Sequence, residues 1–186
     1  EGGRLRGISL DGGFASGVLT PPLLRVKELR GSIQGAPWGG EMSADLSPGR
    51  GWVEGRGWGQ SVDLAPWESL GILPPGLLGS VERVDLFFQL RDDGPLGRIF
   101  FRGLEASLGA WEIAEGRCLG SLSPQGATFQ GSGRWLGSLV KVSGDVMDPL
   151  GTSRIGASIA LVDVPLDRLG GPFPALRPEG LKGKAS

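Results

Sequence analysis

Apolar and polar residues alternate with period two along most of the chain. In residues 41–47, Met42, Ala44 and Leu46 fall on one side of an extended strand and Ser43, Asp45 and Ser47 on the other. Residues 104–109, 139–146 and 155–161 repeat the pattern. A longer run, 81–91, places Val84, Leu86, Phe88 and Leu90 in register. Between such runs stand Gly, Pro, Asp or Ser, and the turn signals are specific. Asp92-Asp93-Gly94-Pro95 between two apolar strands predicts a hairpin, and 47–51 (SPGRG) and 123–126 (SPQG) predict two further turns. No window shows a sustained 3.6-residue apolar stripe. Two short helical turns are expected, at 65–71 (Pro66 early, Gly71 as stop) and at 164–172 (Pro165 and Gly170 in the same roles). The pattern predicts an all-β, mainly antiparallel fold built from strongly curved, glycine-rich sheet.

Residues 51–64 (GWVEGRGWGQSVDL) sharpen this picture. On a straight strand Trp52, Glu54, Arg56 and Trp58 point one way and Val53, Gly55, Gly57 and Gly59 the other. One side is bulky and the other nearly bare. Bare glycines in a strand either permit bulges and curvature or lie under a neighbouring ring. The pairs Phe87-Phe88 and Phe100-Phe101 flank the Asp-Asp-Gly-Pro turn, so one ring of each is expected on each side of the sheet. Two copies of a Val-Asp-turn segment, starting at Val62 and Val162, lie 100 residues apart, and 28–32 matches 128–132 at the same offset. The domain reading is therefore one β-rich unit over 1–176, with pseudo-repeats 1–78 and 79–176 and a flexible tail at 177–186.

Composition removes most chemistries. Of 186 residues 35 are Gly and 14 Pro, without the strict triplet period of collagen. The formal charge is −1 with no basic run, which argues against a nucleic-acid surface. Histidine is absent, so no Ser-His-Asp or Cys-His site exists, and Cys118 is the lone cysteine, too few ligands for zinc. Asp92 and Asp93 read as turn formers, and Lys27 and Lys141 as solvated lysines rather than members of a Ser-Lys dyad. Residues 131–137 (GSGRWLG) miss the spacing of a dinucleotide loop, and 180–186 (GLKGKAS) is not a Walker loop. No catalytic residue, metal or cofactor is expected, and the chain is not read as an enzyme. It starts at Glu1 without Met, which reads as a fragment trimmed of an upstream anchor or signal.

Three stretches, 77–90, 94–133 and 140–161, resemble the periplasmic region of the type II secretion system protein N family. The resemblance rests on Leu78–Leu90, on Trp111 with Leu119–Leu122, and on Gly144–Leu161. The glycine-punctuated alternation is also similar to that of AsmA-like and TamB-like envelope proteins. The resemblance implies a non-catalytic component of a Gram-negative secretion system, tethered by a segment outside this chain at the periplasmic face of the inner membrane and acting through contacts with other secretion-system proteins. The AsmA-like likeness implies instead a groove that binds lipid. A third reading, a carbohydrate-binding module, requires coplanar exposed tryptophans. Trp52, Trp58, Trp67, Phe88 and Phe101 are the candidate contact residues for a partner or a lipid.

Overall fold

The computed structural model describes residues 3–5, 8–69, 75–109, 111–147, 154–165 and 184–185. Eleven strands form one antiparallel sheet in which each pairs only with its predecessor and successor in the chain. In order they are β1 (Gly3–Leu5), β2 (Ile8–Thr20), β3 (Leu23–Ile33), β4 (Ala36–Asp45), β5 (Trp52–Asp63), β6 (Leu77–Arg91), β7 (Gly94–Leu108), β8 (Trp111–Ser123), β9 (Gly126–Trp135), β10 (Ser138–Met147) and β11 (Arg154–Val162). A single helical turn, α1 (Ala65–Ser69), joins β5 to β6, and β12 (Val164–Pro165) pairs with β13 (Lys184–Ala185). The all-β, antiparallel expectation is met. The sheet stays open, with β1 and β11 as its edges, so the expected strong curvature is only partly present.

The hairpins follow from local chemistry. Asp92-Asp93 connects β6 to β7 with Arg91 opposite Gly94, and Ser123 lies opposite Gly126 across the SPQG turn. Gln34-Gly35 and Leu136-Gly137 both have two positive φ values (51° and 81°, 52° and 80°), the geometry whose twist matches that of the strands it joins. At α1 the Asp63 carboxylate accepts the Ala65 N–H (3.0 Å), which satisfies an otherwise orphan donor at the start of the turn. The second expected helical turn is not seen where it is described: Val164 and Pro165 are in strand β12. Residues 166–183 lie outside the described residues, as does most of the expected tail, of which Lys184–Ala185 forms β13. The junction proposed between repeats, 78/79, falls inside β6. The 100-residue offset nonetheless carries β3 onto β9 and β5 onto β11, each six strands along.

Two small cores sit on one side of the sheet, near one end of its strands. Ala36, Val62, Leu64, Val81 and Val84 form the first, and Trp67 of α1 packs against it. Trp135 and Val140 form the second, with Trp111 stacked on Trp135 at 4.5 Å. A row of bulges crosses the sheet beside the first core. Ser61 (φ 50°), Gly103 (φ 60°) and Glu115 (φ 52°) take left-handed conformations on β5, β7 and β8, and Glu82 on β6 is skipped in the pairing beside them. Each bulge places two successive residues on the same side and reverses the alternation beyond it. For this reason Val62 and Val81 share the side of Gly59 and Val84, although simple counting would put them on the other.

Candidate functional site

The register separates the sheet into two chemically distinct faces. On one face Trp38, Gly59 and Val84 lie side by side, followed by Met42, Gly55 and Phe88, and by Ala44, Val53 and Leu90. The same face continues through Gly97 and Leu122, Ile99 and Gly120, and Phe101 and Cys118, then Phe129 and Gly144, and Val142 and Ile159. No charged side chain lies on it among the described residues. The opposite face carries Arg25, Glu41, Glu54, Arg56, Arg83, Asp85, Arg98, Arg102, Arg117 and Lys141 on the alternate positions of the same strands.

A sheet with one charge-free face normally buries it against a second layer. Here α1 and the stacked tryptophans cover one end only. Toward the other end Leu90 is 52% exposed and Leu122 37%. A groove of about 590 Å³ runs between them, lined on this face by Leu86, Phe88, Leu90, Ile99, Leu122 and Phe129. That volume lies within the ~300–1,000 Å³ typical of small-molecule sites.

Glycines shape the floor of this face. Gly55 lies beneath Phe88, Gly59 beneath Trp38, and Gly144 beneath Phe129, each directly or diagonally across a strand pair. A Cβ at Gly55 would sit 2.6 Å from the Phe88 ring, and one at Gly59 2.8 Å from the Trp38 ring. The rings therefore lie down along the sheet instead of standing up from it, and the surface is smooth where alternating large side chains would make it knobbly. The expectation that bare glycines underlie neighbouring rings holds on this face. It holds on the polar face too, where Gly39 lies beneath Trp58. The Trp38 Nε1–H is buried with no acceptor among the described residues, where the indole packs against the first core.

The five candidate contact residues divide between three places. Phe88 and Phe101 lie on the charge-free face. Trp52 and Trp58 lie on the polar face, six residues apart along β5, or about 20 Å. Trp67 is on α1 and serves the first core. Phe87 and Phe100 are on the polar face, so each Phe pair is split across the sheet as expected, and the aromatics share no single trough. Trp111 and Trp135 are used in the second core. No coplanar row of exposed tryptophans forms among the described residues. What residue-by-residue reading missed is the continuity of the charge-free face, which depends on knowing the register and the bulges.

Ionic structure is confined to the polar face. Asp85 accepts from Arg83 (2.9 Å to Nε) and from Arg102 (2.8 Å); the Arg83 hydrogen bond is the largest influence and, with the Arg102 hydrogen bond and the charges of both arginines, holds its carboxyl below the usual carboxylate range against burial, which pushes it up. This shared carboxylate separates two arginines that face each other directly across β6 and β7. Burial pushes the Cys118 thiol up. No group of three metal-ligating side chains and no helix long and apolar enough to cross a membrane occurs among the described residues. No protein-family model, no curated protein and no solved structure matches the chain.

Proposed function

We propose that the protein is a non-catalytic binding protein of the bacterial envelope whose charge-free sheet face holds an acyl chain of a lipid. The observation that carries this reading is the open face itself: strand after strand presents apolar or glycine positions there, and among the described residues no second layer covers the end around Leu90 and Leu122. An acyl chain suits a smooth apolar surface, because it has no fixed shape to match and gains roughly 25 cal/mol for each Å² removed from water. A protein partner gains most from interlocking side chains, which rings lying flat over glycine do not offer.

Native mass spectrometry of the purified protein tests this, together with displacement of a fluorescent fatty acid. Co-purified or added lipid is expected to bind. Leu90→Glu and Leu122→Glu, at positions already exposed in part, are expected to keep the fold and weaken binding at least about tenfold, as a charge is brought against the chain. Lipid-free protein that also ignores the probe overturns the reading.

A second reading is favoured by the edge strand β11. Among the described residues it pairs only with β10, and it is free of charge from Ile155 to Val162. Edge strands of this kind ordinarily carry lysine, proline or a bulge that blocks further pairing. A component of a type II secretion system at the periplasmic face of the inner membrane, adding a strand of another subunit here, would use it. Cross-linking in cells from a probe at Ile159, exposed on the charge-free face of this edge strand, distinguishes the two: capture of a secretion-system protein favours the second reading, and capture of lipid alone the first.

A further inference from the structure

On the polar face, Arg117 of β8 and Lys141 of β10 stand opposite the same residue, Ser132 of β9, one on each side. Two strand spacings, about 10 Å, separate their backbones, and both side chains are long enough to meet above Ser132. They line a trough of about 670 Å³ with Gln130, Ser132, Ser143 and Ser158. Arg117 donates from Nε to Ser132 Oγ at 3.0 Å, which orients the guanidinium and leaves both terminal nitrogens free of any carboxylate. Lys141 makes no ion pair among the described residues, and no carboxylate lines the trough.

Three neighbouring arginines differ from Arg117 in their partners. Arg83 and Arg102 share Asp85, and Arg134 pairs with Glu115 (2.8 Å). Each of these cations reaches a carboxylate in the sheet, whereas among the described residues Arg117, directly opposite Arg102, and Lys141 make no ion pair. Like charges in adjacent register cost stability unless an anion lies between them. Arginine supplies paired N–H donors suited to an oxyanion, and lysine a point charge. Three serine hydroxyls and the Gln130 amide add more donors than the two oxygens of a carboxylate require.

We infer that this trough binds a phosphoryl group, held between Arg117 and Lys141. A phosphate monoester carries about −1.5 to −2 charge at pH 7 and three terminal oxygens, matching two cations and a ring of hydroxyls. The group has two possible sources, free phosphate or the phosphomonoester headgroup of phosphatidic acid. The inference stands apart from the acyl-chain reading, because the trough is on the opposite face of the sheet.

The test titrates inorganic phosphate into the full chain by calorimetry and, separately, sediments the protein with phosphatidylcholine vesicles with and without phosphatidic acid. At least one probe is expected to bind, more weakly as salt rises. Binding is expected to fall about tenfold or more in the double variant Arg117→Gln/Lys141→Gln, the loss that removing charge-assisted hydrogen bonds brings. Arg134→Gln, whose side chain is already paired with Glu115, should bind as the parent does. Phosphate binding alone identifies a free anion, and binding only to phosphatidic acid vesicles identifies a headgroup. Both side chains are exposed, so the double variant should keep the parent's thermal midpoint. Absence of binding to either probe, or undiminished binding by a folded double variant, overturns the inference.

Discussion

The ring of Phe88 on β6 lies across Gly55 on β5, so close that Gly55 has no room for a methyl group. The contact is a packing relationship, because Gly55 has an ordinary strand conformation. Gly55→Ala should therefore destabilise the protein by roughly 1–3 kcal/mol through overpacking. In a Phe88→Leu background the same substitution should cost less, since the ring is gone. Urea unfolding of the four proteins in this cycle measures the coupling, and strict additivity would show that the ring does not rest there.

The tryptophans should differ sharply in what they contribute. Trp135 is fully buried, and its replacement by Ala should cost about 3–5 kcal/mol. Trp52 lies part-exposed on the polar face, and Trp52→Ala should cost about 1 kcal/mol or less. Denaturant midpoints of the two variants make the comparison, and equal losses would contradict the placement of the second core.

Asp85 gives stability a defined dependence on pH. Its folded-state pKa is depressed, so its contribution is present above the unfolded value of about 3.9 and is lost as pH falls through the lower folded value. Asp85→Asn should lower the thermal midpoint at pH 7 by leaving Arg83 and Arg102 opposed. The gap between parent and variant should close as the pH is taken well below 4. A gap that persists in acid would mean that the carboxylate acts by its shape and not by its charge.

Cys118 reports on the apolar face, where it neighbours Phe101 and Gly131. Its thiol is half-buried and its pKa is raised, so maleimide labelling at neutral pH should be slower than for a free thiol and should quicken as pH rises. An acyl ligand on that face should slow labelling further. Labelling kinetics with and without a saturating fatty acid measure both effects, and no protection by a bound ligand would place it elsewhere.

Much of the strand structure was legible in the sequence. Val84, Leu86, Phe88 and Leu90 alternate as written, and the Asp92-Asp93 and SPQG turns fall where Gly and Pro announce them. The bare side of 53–59 was visible too, including its role beneath rings. The bulges were not. Ser61 and Glu115 adopt left-handed conformations that their residue types do not advertise, and each moves everything beyond it to the other face. Counting straight through them assigns Val62 and Val81 wrongly and hides the continuity of the charge-free face. That no second layer covers the Leu90 end among the described residues was equally invisible, because an apolar position reads the same whether it is covered or exposed. The anion trough escaped notice because Arg117 and Lys141 are 24 residues apart and meet only through the β8–β9–β10 register.

Because every strand of the main sheet leans only on its immediate neighbours in the chain, the molecule has no privileged number of strands. Its energetics approach those of a linear array, in which each added unit contributes its own stability and one new boundary. A hairpin could be inserted or removed within the meander without undoing any distant pairing, so the width of such a ribbon can change through simple gain or loss of chain segments.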